Sequence, residues 1–170
     1  MNLVTALAIV IGLLSVLITW LFFGPVLGGM GLSLWAAFIA WGSFFNQGGG
    51  EAGLQKSLLA GIWGAVMATV ALGVLIPMFS GMGSLAAPLA VGLAVGIMVL
   101  GAHVPLLSAI PAAVYGFAST AAFALMMGDK AQALGTSIGS SPFMNIVASM
   151  VIGAVFGYVS EKLAGTLASG

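Results

Sequence analysis

Long apolar stretches, separated by short polar or glycine-rich breaks, occupy most of the chain. A membrane-spanning helix needs about 20 mainly apolar residues. Measured against that length, the pattern predicts six spans, at residues 3–23, 26–45, 57–78, 85–101, 105–127 and 142–160. Backbone polar groups cannot stay unpaired in hydrocarbon, so helices are the economical way to cross it. The pattern therefore predicts an all-α, polytopic helical membrane protein of about six spans, or five if the fourth and fifth merge.

The breaks carry turn and capping residues. Gly24 and Pro25 end the first stretch, which follows Asn2 without a basic region and is interpreted as a retained span instead of a signal peptide. Pro111 removes a backbone donor inside the fifth stretch and predicts a kink there. Ser141 suits an N-cap and Pro142 the first helical position of the sixth. We treat residues 1–170 as a single transmembrane domain.

Composition agrees with this interpretation and narrows the function. Of 170 residues, 62% are hydrophobic and 4% charged, whereas a soluble domain has about 25% charged residues. The formal net charge is zero, so no basic surface for nucleic acid is expected. Placing Lys56 and Lys162 inside and Lys130 outside satisfies the positive-inside rule by a narrow margin. Both termini are then cytoplasmic.

Two pairs of segments resemble each other internally. Residues 36–43 share two alanines, an aromatic position and a serine with residues 112–119, and residues 63–67 resemble residues 152–156. If these correspond, the halves 1–79 and 84–165 form a 3+3 inverted repeat, because three crossings reverse the second copy. Such repeats are common in transporters. The alternative is chance similarity in a chain rich in alanine, glycine and valine.

Two polar clusters are candidates for a solute route. Asn46 and Gln47 precede three glycines, and amides offer donors and acceptors without charge. The alternative is an ordinary hydrophilic loop. Thr136 and Ser137 lie before the sixth stretch, and Asn145 lies within it. Residues 131–141 then form either a re-entrant segment or a plain loop, since irregular backbone at membrane depth must be buried in protein or line water.

Little else in the chain suggests chemistry. His103 is the only imidazole and would either gate by protonation or lie in an interfacial loop. A lone histidine without cysteines or nearby carboxylates predicts no metal site, and no two acids are paired for general acid–base catalysis. We therefore expect no enzyme activity, no metal and no cofactor.

Residues 35–50, 115–119 and 153–162 together resemble the YcdZ-like small bacterial inner-membrane proteins, a family of unknown function. This resemblance implies a multi-pass protein of the inner membrane, and it implies no activity or catalytic residues. A fainter similarity to urea transporters lies in Ser140–Phe143, which has the look of their Thr-x-Pro-Phe element. The leucine-proline pair that precedes that element is absent here, where Leu134 and Gly135 stand instead.

The sequence as a whole predicts a channel or passive transporter for a small polar, neutral solute. Absence of charge within the spans argues against an ion-coupled pump. One subunit has few polar groups with which to line a route, so we expect a homo-oligomer in the lipid bilayer. The predicted lining residues are Ser43, Asn46, Gln47, Ser119, Thr136, Ser137 and Asn145. The alternative is a non-conducting accessory subunit that packs against a partner.

Overall fold

The computed structural model describes residues 1–169, which form helices joined by turns and loops, with no strand among them. Its principal helices are α1 (Leu3–Phe23), α2 (Leu34–Asn46), α3 (Gly50–Met78), α4 (Ala86–Leu100), α5 (Ile110–Met127) and α6 (Pro142–Ser169). Short 3-10 turns lie between several of them. Helix α3 contains a π-helical turn at Ala71–Leu75.

Five of these helices are long and apolar enough to cross a membrane, as expected for a multi-pass helical membrane protein. Helix α2 is the shorter one. Its 13 residues rise about 20 Å at 1.5 Å each, against a hydrocarbon core of about 30 Å. The all-α prediction is confirmed over the described residues, whereas the sixth span stays a prediction.

The hairpin of α2 and α3 differs from the predicted boundaries at both ends. Helix α2 begins at Leu34 instead of residue 26, because the chain first passes through a 3-10 turn and Gly31, which has a φ of 64°. Helix α3 begins at Gly50 instead of residue 57. Gly48, Gly49 and Gly50 all have positive φ, a conformation that favours glycine. They reverse the chain so sharply that the predicted polar loop is reduced to a tight turn.

Two predictions about proline and helix ends have different outcomes. The predicted kink at Pro111 is wrong, because α5 begins at Ile110 and the proline therefore lies in the first turn, where its missing N–H costs nothing. Helix α6 begins at Pro142 as predicted, and the Ser141 hydroxyl accepts from the Met144 N–H at 3.3 Å. It continues well beyond the predicted end at residue 160.

The helices associate as two groups of three. Helices α1 and α2 pack on α6, which we call the first bundle, and α4 and α5 pack on α3, the second bundle. The most extensive contacts are α3 with α5 and α2 with α6. Helices α3 and α6 also contact each other and join the two bundles. The third helix of each half of the sequence therefore packs mainly with the first two helices of the other half.

Glycines set the closest of these contacts. A methyl group added at Gly64 would overlap the Ala113 carbonyl of α5, and one added at Gly116 would overlap the Gly61 carbonyl of α3. In the first bundle, a methyl group added at Gly153 of α6 would likewise overlap the Ala37 carbonyl of α2. Small residues allow helix backbones to approach closely in membranes, where packing drives helix association.

The ends of several helices can be matched from their contacts. Ala6 and Val10, near the start of α1, pack with Ala164 near the end of α6. At the start of α3, the Gly50 N–H donates to Glu161 Oε2 of α6 at 2.8 Å. An acidic side chain is favourable there, because a helix N-terminus has free N–H groups and partial positive charge. The start of α1, the start of α3 and the end of α6 thus share one end of the molecule.

Candidate functional site: a groove between α2 and α5

A groove of about 570 Å³ separates α2 from α5. Its α2 wall is made by Trp35, Phe38, Ile39, Gly42, Ser43 and Asn46, and its α5 wall by Tyr115, Ala118, Ser119 and Ala122. None of these ten side chains is charged. The groove is therefore mostly apolar, with hydroxyl and amide groups as its polar contribution.

Ser43 and Asn46 bring polar groups to the α2 side. Ser43 is buried, and its hydroxyl accepts a hydrogen bond from the Ser57 hydroxyl of α3 at 2.8 Å. Asn46 is the last residue of α2 and is exposed. Gly42 lies one helical turn before Asn46, and no atom of another part of the chain is within 4 Å of the position that a side-chain methyl group would occupy there. The α2 wall thus has a hydroxyl that is hydrogen-bonded to α3 and, about one turn away, an accessible amide.

Ser119 supplies the exceptional group of the groove. Its side chain is 2% exposed, and its hydroxyl is the one buried side-chain polar atom without a hydrogen-bond partner among the described residues. Its neighbour Thr120, also fully buried, donates instead to the Gly116 carbonyl at 2.9 Å. Leaving a buried donor unpaired costs about 1–3 kcal/mol. The Ser119 hydroxyl therefore belongs to the groove lining without an internal hydrogen-bond partner.

The remaining predicted site residues lie elsewhere. Gln47 is in the tight turn after α2, half-buried and outside the groove lining. His103 is exposed in the 3-10 turn after α4. Thr136 and Ser137 are exposed in the segment before α6. The structure brings Ser43, Asn46 and Ser119 together in one groove and leaves these four apart from it.

Asn145 is fully buried, and its side chain makes three hydrogen bonds. Its Nδ2 donates to the Gly31 carbonyl at 2.8 Å and the Ile138 carbonyl at 3.0 Å. Its Oδ1 accepts from the Ser33 hydroxyl at 2.7 Å. The Ser149 hydroxyl accepts from the Ser33 N–H at 3.0 Å, which adds a second link to the same position. In this structure Asn145 therefore ties the start of α2 and the segment before α6 to α6, away from the groove.

Residues 131–141 form a loop of turns instead of a helix. The Gln132 N–H donates to the Ser140 carbonyl at 2.8 Å and closes the loop. Leu134 lies against Gly73 within the π-helical turn of α3, so close that a methyl group at Gly73 would be about 2.8 Å from the leucine. The loop rests on the second bundle, and its re-entrant alternative stays a prediction.

Several residues that build the groove have weaker signals in the sequence. The sequence pattern does not distinguish the groove residues Trp35, Phe38 and Tyr115 from ordinary interfacial or packing aromatics. Their spacing is compatible with a groove wall and with a lipid-facing surface. Ser57, which engages Ser43, is a single serine in an apolar helix. The described residues contain no group of three or more histidines, cysteines or acids able to hold a metal ion.

The fold and groove define a multi-pass α-helical membrane protein with an uncharged, mainly apolar groove. The chain belongs to a family described as a protein of unknown function (DUF1097), whose model matches residues 8–165. Comparison with curated proteins gave no match, and comparison with solved structures gave none either. Membership of a family of unknown function thus agrees with the sequence prediction, but nothing found supports the YcdZ-like name or the similarity to urea transporters.

Proposed function

We propose that this protein is a channel or passive transporter for a small polar, neutral solute, acting as a homo-oligomer in the bacterial inner membrane. The observation that carries the proposal is the buried, unpartnered Ser119 hydroxyl in a groove that also contains Asn46. A solute passing along the groove would satisfy that hydroxyl. Neutrality is inferred from the absence of charged side chains in the lining.

A passive mechanism fits the distribution of charge. The six charged side chains are Glu51, Lys56, Asp129, Lys130, Glu161 and Lys162, and none of them is buried. Ion-coupled pumps commonly keep acids or bases within their spans. The same scarcity of reactive groups favours a protein without enzyme activity.

We further propose that the halves form the inverted repeat. Two glycine contacts support it: Gly64 meets Ala113, and Gly153 meets Ala37. Aligning residues 36–43 with 112–119 pairs Ala37 with Ala113, and aligning residues 63–67 with 152–156 pairs Gly64 with Gly153. The proposed repeat then makes the contact of Gly64 with Ala113 equivalent to the contact of Gly153 with Ala37.

The proposed repeat also relates the starts of α2 and α5. Ser33, immediately before α2, would correspond to Ala109, immediately before α5. Ser33 contacts Ser149, and Ala109 belongs to the same buried cluster as Ala60, the proposed counterpart of Ser149. Under this correspondence, Ser43 and Ser119 are counterparts on the two walls of the groove. The groove would then lie on the pseudo-two-fold axis, where inverted-repeat transporters bind their substrates.

Flux into liposomes tests the proposed function. Purified protein is reconstituted, and uptake of urea, glycerol, ammonia and short carboxylates is compared with empty vesicles. We expect at least one neutral solute to enter faster through the wild-type protein, and we expect Ser119→Ala and Asn46→Ala to change that rate. Ser108→Ala is the matched control, because Ser108 is exposed and donates to the Pro105 carbonyl outside the groove.

Absence of flux above empty vesicles for every solute, from protein shown to be folded, would overturn the transport proposal. It would favour the second candidate, a non-conducting accessory subunit. That candidate has its own observation, because Phe38, Ile39 and Val114 are apolar and exposed on α2 and α5. A partner helix packed there would cover them.

A further inference from the structure

We propose that the groove between α2 and α5 selects neutral molecules with a flat apolar body and one carbonyl or amide group, in preference to compact solutes such as urea. This inference rests on the proposed function, because it names the substrate class of the same groove. It follows from the size of the groove, from its walls and from the placement of its free hydroxyl.

The volume and the lining residues of the groove favour a ligand with an apolar body. Pockets for drug-sized ligands occupy about 300–1,000 Å³ and are lined mainly by apolar and aromatic side chains with a few polar groups. This groove has about 570 Å³, with Trp35, Phe38 and Tyr115 in its lining. A compact solute such as urea would leave most of that wall uncovered and would gain little from it. A flat ring between aromatic side chains would cover the wall and gain packing energy.

Ser119 and Asn46 favour a carbonyl or amide as the polar end. The Ser119 hydroxyl has no partner, so it can donate to a carbonyl oxygen. The Asn46 amide is exposed in the same groove and offers both a donor and an acceptor. A charged group would instead lose its hydration in a groove without a counter-charge, which is costly.

The proposed repeat relates the two hydroxyls of the groove, whose surroundings differ. Ser43, the counterpart of Ser119, is already engaged by Ser57 of α3 at 2.8 Å. The alignment pairs Ser57 with Ile146 of α6, whose fully buried side chain has no hydroxyl to offer. The polar end of the ligand is therefore expected at Ser119, with its apolar body extending along the aromatic wall.

Binding of benzamide to the detergent-solubilised protein, measured by equilibrium dialysis, tests this inference. Benzamide is neutral, flat and carries one amide. We expect saturable binding that excess urea does not displace, and a loss of affinity of about three- to tenfold in Ser119→Ala, the worth of one hydrogen bond. Ser119→Thr keeps the hydroxyl and should bind better than Ser119→Ala. Ser108→Ala should bind like the wild type, and thermal unfolding of each variant verifies that it is folded.

Each other outcome has a definite meaning. Displacement of benzamide by excess urea, or equal affinity in Ser119→Ala, would overturn the inference. A phospholipid that copurifies with the wild type and is lost from Ser119→Ala, seen by native mass spectrometry, would overturn it in favour of lipid as the carbonyl source. Benzamide binding without any solute flux would retain the ligand class while refuting transport. Urea flux without benzamide binding would support transport while refuting the proposed ligand class.

Discussion

Gly64 and Gly153 each stand where another helix backbone leaves no room for a side chain. An added methyl group would have to displace the backbone carbonyl of Ala113 or Ala37, which cannot swing aside as a flexible side chain can. Packing density in protein interiors is high enough for one extra methylene to be felt. These two positions should therefore tolerate substitution less well than most of the other glycines in the chain.

We predict that Gly64→Ala and Gly153→Ala each lower the free energy of unfolding by about 1–3 kcal/mol, the usual cost of overpacking. Gly96→Ala is the control, because Gly96 is also helical but has nothing within 4 Å of the added methyl group. It should leave stability unchanged or raise it slightly, since alanine has the higher helix propensity. Unfolding in mixed micelles, followed by circular dichroism, measures all three. Equal effects at the three positions would contradict the close contacts.

The two serines of the groove should differ in how truncation to alanine changes stability. In ligand-free protein, Ser119→Ala removes a buried hydroxyl that has no partner, so stability should stay level or rise by about 1 kcal/mol. Ser43→Ala removes an acceptor and leaves the buried Ser57 hydroxyl unpaired, so stability should fall by about 1–3 kcal/mol. The same unfolding assay compares them. A loss in Ser119→Ala as large as that in Ser43→Ala would indicate an internal partner for Ser119.

At the scale of elements, α2 depends on bonds at both of its ends. Ser33 at its start is held by Asn145 and Ser149, and its far end enters a turn of positive-φ glycines. Gly49 in that turn has a φ of 70°, and a methyl group there would overlap the Glu161 carboxylate. Helix α2 is short, so these fixed ends, and its glycine contact with α6, set its position.

We predict that Asn145→Ala lowers the free energy of unfolding by about 2–4 kcal/mol, because it leaves the Ser33 hydroxyl and two carbonyl groups without their partner. It should also free residues 131–141, which limited proteolysis would detect as new cleavage. Thr136→Ala, an exposed change in the same loop, is the control. Altered flux with unchanged stability and proteolysis would instead support the predicted role of Asn145 in lining a route.

The long helices could be predicted because about 20 consecutive apolar residues have one economical conformation in lipid. The ends of α1 and α4 and the start of α6 were predicted to within about a residue, each beside a glycine or a proline. The start of α2 could not be predicted, because it depends on a hydrogen bond from Ser33 to Asn145, which lies far along the chain. Ser43 and Ser119 were predicted as polar exceptions in apolar helices, but the aromatic wall between them requires knowing which helices are neighbours.

The charged residues of the whole molecule bear on its orientation. Glu161 of α6 bonds to Gly50 at the start of α3, so Lys162 and Lys56 lie toward that end of the molecule. Lys130 follows the C-terminal end of α5, which runs alongside α3 in the same direction. Two lysines against one favour the first end for the cytoplasm, as the positive-inside rule predicts.

The chain has no cysteine, so single substitutions can report this orientation directly. We predict that Lys130→Cys reacts with a membrane-impermeant maleimide in intact cells, whereas Lys56→Cys and Lys162→Cys react only after permeabilisation. All three lysines are exposed, so access should depend on side alone. The cysteine-free parent is the blank. Labelling of Lys56→Cys and Lys130→Cys from the same side would contradict the proposed topology.

The exchange of third helices between the bundles constrains how the chain can be made. Helix α6 completes the first bundle but is synthesised after α1 to α5. Until then, the Ala37 backbone lacks the Gly153 surface on which it packs. The second bundle, whose three helices are consecutive, can assemble earlier. We therefore expect the second bundle to assemble before α1 and α2 pack on α6.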